Sequence, residues 1–133
     1  GLTNQEPVMS NILLSKNFQA AAAIAAYTLV KHAAADDQVQ AAAAATDLVI
    51  GATQDIAPAI GERVDVALCG ITYVTAGAAI TRGARLMSDA SGRVVTAAAA
   101  AGTNVNTVGS ALESASAAGD VIRVLLNPGT FQG

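Results

Sequence analysis

Residues 48–68 read LVIGATQDIAPAIGERVDVAL, an apolar run that ends at Gly51, a polar connection, and an alternating run that begins after Gly61. The same pattern returns 58 positions later, where Gly109 and Gly119 stand in the places of the two glycines. The paired glycines are ten positions apart in both copies, so the match needs no gap. Because alternating apolar residues are typical of β-strands, the two copies predict one strand–turn–strand unit that is used twice.

The second run of each copy places an apolar residue at every other position, and we expect these side chains to face the core. They are Val64, Val66 and Leu68 in the first copy and Ile122, Val124 and Leu126 in the second. The intervening residues of the first copy, which include Ala67, are expected to face outward. Beyond Gly70 the apolar positions change parity to Ile71 and Tyr73, which predicts a β-bulge at Gly70.

The length of 133 residues predicts a single domain. Much of the apolar content is alanine, 32 residues in all, and only 3% of the chain is aromatic, so the core is expected to be thin. The predicted fold is mainly β, a compact β-barrel or β-sandwich built from two related halves of about 57 residues. We expect an N-terminal arm over residues 1–18 and a β domain over residues 19–133, with the repeat at about 20–70 and 78–128. A thin core also favours self-association.

Charge and composition exclude several classes of function. The net charge is −3 and the seven basic residues are scattered, which argues against a nucleic-acid partner. One cysteine and one histidine cannot build a common zinc site. No uninterrupted apolar run approaches the ~18 residues of a membrane span. The first residues do not show a basic region followed by an apolar one, so no secretion signal is expected in them. We therefore expect no membrane partner, no metal and no cofactor.

The alanine-rich segment at residues 20–45 has two readings. Alanine has the highest intrinsic helix propensity, which favours helices. Against this, the segment has poor helix caps and no stripe of large apolar residues at helical spacing. The repeat also aligns Val39 with Val95, which follows a hairpin-like turn ending at Gly92. These observations favour strands.

The N-terminal residues are too apolar for a tail that stays in water. Two alternatives are open: a first strand packed on its own domain, or an arm that reaches a neighbouring subunit. If a contact surface exists here, we expect docking by strand addition. Its candidate residues are Leu2, Pro7, Val8, Ile12, Leu13 and Leu14.

No residues are arranged for catalysis. Any nucleophile–histidine pair must use His32, whose neighbourhood indicates an exposed polar residue. Cys69 is expected to be a small, at least half-buried apolar residue. Arg82, Arg85 and Arg93 form a local basic group that is either a solvated face or a partner contact. The sequence predicts that the protein is not an enzyme.

Five segments in order carry a resemblance to a known family. They are DLVIG (47–51), GERVDV (61–66), AGAAITRG (76–83), SDASGRV (88–94) and AGDVIRVLL (118–126). Their order and spacing resemble the capsid cement or head decoration proteins of tailed bacteriophages, over roughly residues 18–128.

This resemblance implies a β-rich structural protein of the virion, made in the host cytoplasm, that binds the outer surface of the expanded phage head and reinforces contacts between capsomers. Its implied partners are the major capsid protein and further copies of itself, as a homotrimer or, less favoured, a dimer. The alternative is a non-viral oligomeric β-module that binds a ligand or carbohydrate, or another structural component of the virion.

Overall fold

The computed structural model describes residues 11–99 and 101–132, and in this stretch of the chain every regular element is a strand. The predicted contact residues Leu2, Pro7 and Val8 lie outside the described residues. No helix within the described ranges is long and apolar enough to cross a membrane. The strands are β1 (Asn11–Ala20), β2 (Leu29–His32), β3 (Gln38–Ala41), β4 (Val49–Thr53), β5 (Arg63–Thr75), β6 (Arg85–Ser88), β7 (Val94–Thr96), β8 (Asn104–Ala111) and β9 (Val121–Gln132).

All nine strands belong to one sheet, in the order β1-β3-β2-β4-β5-β9-β8-β6-β7, and β1 also pairs with β5. This additional pairing closes β1, β3, β2, β4 and the first half of β5 into a ring of five strands, ring one. The β1–β3 pairing is parallel and the other four pairings are antiparallel. The mainly β class is confirmed, while the barrel or sandwich, the two halves and the arm stay predictions.

A second set of five strands, ring two, consists of the second half of β5, β9, β8, β6 and β7. Its four ladder pairings are antiparallel. A parallel bridge between Ala76, just beyond β5, and Val94 of β7 completes the circuit. There the amide of Gly77 donates a hydrogen bond of 2.8 Å to the carbonyl of Val94. The long strand β5 is therefore common to both rings.

Corresponding strands of the two rings are paired in the same register. In ring one Ala52 lies opposite Ala67, and in ring two Ser110 lies opposite Leu125, each 58 positions further on. The β2–β4 pairing shifts register after Val30, and the β6–β8 pairing shifts after Leu86. Each irregularity lies beside a repeated glycine, because Val30 is opposite Gly51 and Leu86 is opposite Gly109.

Two groups of buried apolar side chains hold the rings together. The smaller group consists of Phe18, Ala20, Ile24, Val30, Val39, Val64 and Val66, all from ring one and its loops. The larger group combines side chains of ring two, such as Leu86 and Val124, with Leu29, Ala52 and Ala67 from ring one. Because one group draws on both rings, the rings pack into a single body.

Two details of the predicted alternation are wrong. Burial keeps the same parity through Gly70, since Thr72 and Val74 are buried at the same alternate positions as Val66. Tyr73 is half-buried on the opposite face, where its ring meets the edge of the Tyr27 ring at a centroid distance of 6.4 Å. Ala67, expected to face outward, is fully buried in the larger core group. The second face of β5 is buried there because ring two covers it.

The alanine-rich segment contains two short strands, as predicted, rather than helices. β2 and β3 form an antiparallel hairpin in which Lys31 lies opposite Gln40. The turn between them passes through Asp37, whose φ of 66° is in the left-handed region that aspartate and asparagine tolerate better than most residues.

Candidate contact surfaces

The apolar residues predicted as an arm continue into the described range of the chain as the start of β1. Ile12 lies opposite Gly70 and Leu14 opposite Cys69, so the intervening Leu13 has no partner in the ladder. Ile12 is half-buried and packs against the larger core group. Residues 11–20 thus form a strand of their own chain.

The bulge at Leu13 turns two large apolar side chains into solvent. Leu13 is 81% exposed and Leu14 is 55% exposed. Gly70 makes this path available, because a β-carbon at Gly70 would overlap the backbone of Asn11 and Leu13. Bulges redirect side chains and are recurrent features of binding sites. Leu13 and Leu14 are therefore a candidate contact pair on a backbone that the sheet holds in place.

The three predicted arginines differ in their contacts. Arg93 is paired with Asp89, with 3.2 Å between Nε and Oδ2. Arg82 and Arg85 are exposed and form no ion pair with the acidic residues described here. The amide of Arg82 donates a hydrogen bond of 3.0 Å to Oγ of Ser114, which fixes the turn that carries Arg82, while Arg85 is the first residue of β6.

A third exposed group was missed by sequence reasoning. The connection between β4 and β5 presents Ile56, 65% exposed, and Ile60, 72% exposed. The repeat could have revealed this group, because the residues 58 positions after Ile56 and Ile60 are the small residues Ser114 and Ala118. A comparison of the two connections would have shown that apolar residues are not required there.

Polar contacts on ring one lock its strands rather than form a reactive centre. Arg63 and Lys16 flank Asp37, at 2.8 Å and 3.1 Å from its two carboxylate oxygens. Their hydrogen bonds hold the pKa of the Asp37 carboxyl below its ordinary value. Arg63 also donates a hydrogen bond of 2.6 Å from Nε to Oδ1 of Asn17. The group ties the β2–β3 turn to β1 and β5.

The histidine and the cysteine are residues of types that often act in catalysis or bind metals. His32 is exposed, and its closest aromatic contact is the edge of the Phe18 ring at 6.1 Å between centroids. Cys69 is a half-buried free thiol. Within residues 11–99 and 101–132, no three His, Cys, Asp or Glu side chains are grouped so that they could hold a metal ion. The exposed groups of these candidate surfaces are therefore apolar and charged side chains held by strands and turns, and they are suited to contacts with a partner.

The model of the phage cement protein family matches residues 12–126. The chain belongs to the phage cement protein family. The predicted resemblance is therefore confirmed, and membership supports a structural role at the phage capsid rather than an enzymatic one. No curated protein matches this cement protein.

Among solved structures, this cement protein is similar to the N base of head fiber gp8.5 of bacteriophage phi29. The two share 21% sequence identity and superpose with a TM-score of 0.66, over 86% of this chain and 93% of the other. At this level of identity the likeness concerns the fold. It shows that the N base of that head fiber has a similar fold.

Proposed function

We propose that this cement protein binds the outer surface of the expanded phage head as a homo-oligomer, with a trimer favoured over a dimer, and reinforces contacts between neighbouring capsomers. The observation that carries the proposal is the exposed pair Leu13 and Leu14 on a bulge whose backbone is already paired to β5. Apolar groups held rigidly in solvent lose little conformational entropy when a partner covers them.

The mechanism is passive. Burial of apolar surface contributes about 25 cal/mol per Å² removed from water, so a pair of leucines supplies a modest gain at each contact. When one oligomer touches several capsid subunits, the individual contacts add through their high effective concentration. Internal DNA pressure must then break more contacts to separate neighbouring capsomers.

We also infer that the two rings are copies of one unit and that the N-terminal arm predicted over residues 1–18 contacts a neighbouring subunit. The first inference is supported by the matched registers Ala52–Ala67 and Ser110–Leu125. The second is supported by the position of Asn11 at the start of a strand whose next residues include exposed leucines. Deletion of residues 1–10 tests the arm, and it leaves Ile12 in the core.

The decisive experiment mixes the protein with expanded heads that lack it and sediments the heads. We expect the protein to co-sediment at a fixed number of copies per head and the decorated heads to resist a higher temperature before they release DNA. Unexpanded heads serve as the control. Protein that stays in the supernatant with expanded heads would overturn the proposal.

A further inference from the structure

The connections 54–62 and 112–120 share one backbone–backbone hydrogen bond and one bond from a backbone amide to a carboxylate. In ring one the amide of Ala59 donates to Oε1 of Glu62 at 2.8 Å, and the amide of Glu62 donates to the carbonyl of Ala59 at 3.1 Å. In ring two the amide of Ala117 donates to Oδ2 of Asp120 at 3.3 Å, and the amide of Asp120 donates to the carbonyl of Ala117 at 3.4 Å. In each turn the alanine amide is bound by the carboxylate of the residue three positions later.

The two connections differ in what they expose. Ring one presents Ile56 and Ile60, whereas ring two presents the exposed residues Ser114 and Ala118 at the positions 58 residues later. The ring-two connection shows that the shared hydrogen bonds form without a large apolar side chain at either of these two positions. Two exposed isoleucines in one connection therefore indicate a surface that a partner covers.

Charge indicates the chemistry of that partner. Residues 11–70 contain three basic and six acidic residues, whereas residues 71–132 contain four basic and three acidic residues. Asp55 and Glu62 lie next to the two isoleucines and are exposed. A complementary surface would combine an apolar patch with basic groups at its edge.

The chain itself has such a surface on ring two. Arg82 and Arg85 are exposed, and the chain between them lies beside residues 111–114, because the amide of Gly83 donates to the carbonyl of Ala111 at 2.8 Å. Leu112 is among the exposed large apolar residues of this stretch. The segment that carries the exposed Arg82 and Arg85 is thus adjacent to the segment that carries Leu112, and its charge is opposite to that of Asp55 and Glu62. Glu113, the acidic residue next to Leu112, is paired with Arg123.

We propose that the 54–62 connection of one copy docks on the Arg82–Arg85–Leu112 surface of a second copy. The proposal deepens the self-association included in the proposed function and assigns it two different faces. Contacts between unlike faces generate a closed ring when the rotation between copies returns to its start. Acidic and basic edges would fix the direction of docking, and Ile56 and Ile60 would be buried in the contact.

Multi-angle light scattering of two variants tests this arrangement. Ile56→Ser/Ile60→Ala removes the first face and Arg82→Glu/Arg85→Glu removes the second. We expect each variant alone to fall to the mass of one chain. An equimolar mixture should contain a two-chain species, because each variant retains the face that the other lacks. Leu48→Ser, at another exposed leucine, is the control and should keep the wild-type mass.

Three outcomes would overturn the proposal: a wild-type protein with the mass of one chain, a variant that keeps the wild-type mass, or a mixture that stays monomeric. Circular dichroism checks that each variant folds. If Ile56→Ser/Ile60→Ala does not, Asp55→Lys replaces it, because Asp55 is exposed and its side chain hydrogen-bonds to no described residue. The experiment uses no phage heads, so its failure is distinct from a failure to bind the capsid.

Discussion

Gly51 lies directly against the carbonyl oxygen of Ala67 on the neighbouring strand, at a distance that leaves no room for a β-carbon. Gly109 has the same relationship to the carbonyl of Leu125 in ring two. The repeated glycines are thus explained by close approach of two backbones. In each ring the strand pair comes together at a position that only glycine fits.

We expect Gly51→Ala to lower the free energy of unfolding by about 1–3 kcal/mol, because the methyl group must displace backbone. Urea denaturation followed by circular dichroism measures the change. Gly119→Ala is the control, since the space around Gly119 is open and only its φ of 96° opposes a side chain. A loss at Gly51 no larger than that at Gly119 would contradict the steric argument.

Asp47 should make stability depend on pH. The amide of Ala43 donates to its carboxylate at 2.8 Å and Lys31 lies 3.0 Å away, and both interactions lower the pKa of the Asp47 carboxyl from its ordinary value. A lowered pKa stabilises the fold above the ordinary value of about 3.9, and the contribution is lost as pH falls through the pKa of the folded state.

Asp47→Asn is therefore expected to cost about 1 kcal/mol at pH 7, the difference between a charged and a neutral hydrogen bond. The gap between variant and wild type should close as the pH falls below about 4, where the carboxyl of the unfolded chain is protonated. Urea denaturation at a series of pH values measures it, with Asp36→Asn on the exposed turn as the matched control. A gap that is constant with pH would show that the charge of Asp47 contributes nothing.

Two buried threonines should respond in opposite ways to replacement by valine. The Thr53 hydroxyl accepts a hydrogen bond of 3.0 Å from the amide of Thr28 and donates one of 2.9 Å to the carbonyl of Ala25. The Thr107 hydroxyl is buried and has no hydrogen-bond partner among the described groups. Thr53→Val should cost about 1–3 kcal/mol, whereas Thr107→Val should be neutral or stabilising. Thermal unfolding of both variants side by side checks the contrast, and an equal loss at both sites would refute it.

Leu13→Ser/Leu14→Ser is expected to weaken binding to expanded heads without a loss of fold stability. Both side chains are mostly in solvent, so their replacement removes contact area only when a partner is present. Binding isotherms from sedimentation should show roughly a tenfold weaker affinity or more, the equivalent of about 1.4 kcal/mol. Ile12→Ser is the contrasting variant, because Ile12 packs on the core and its loss should lower stability instead. Unchanged head binding by the double variant would exclude this pair as the contact.

Much of the fold could be predicted from local sequence patterns. The alternation around Val64 and Val66 predicted β5, and the repeat placed Gly51 and Gly109 in corresponding positions. Strands over the alanine-rich segment were also predicted, because the repeat outweighed helix propensity there. These inferences succeeded because side-chain period and backbone crowding are properties of short stretches.

The inferences that failed depended on distant segments of the chain. Tyr73 suggested a change of parity at Gly70, but it is half-buried because Tyr27 covers it from another segment. Ala67 is buried only because ring two packs over that face of β5. The pairing of β1 with both β3 and β5 is likewise a tertiary feature that no local period reports. Among the contact residues, the pattern did not single out Leu13 and Leu14 as the exposed pair, and it passed over the β4–β5 connection.

The continuity of β5 has a mechanical consequence. One peptide backbone of 13 residues runs from the first ring into the second without a break. A force that pulls the two rings apart along this strand is therefore carried as tension in covalent bonds, and the weaker ladders on either side are sheared along their length rather than peeled open one bond at a time. The two rings can therefore be separated only by breaking the ladders that β5 forms with its neighbours. Two separately folded modules on a flexible linker could move apart without breaking any ladder.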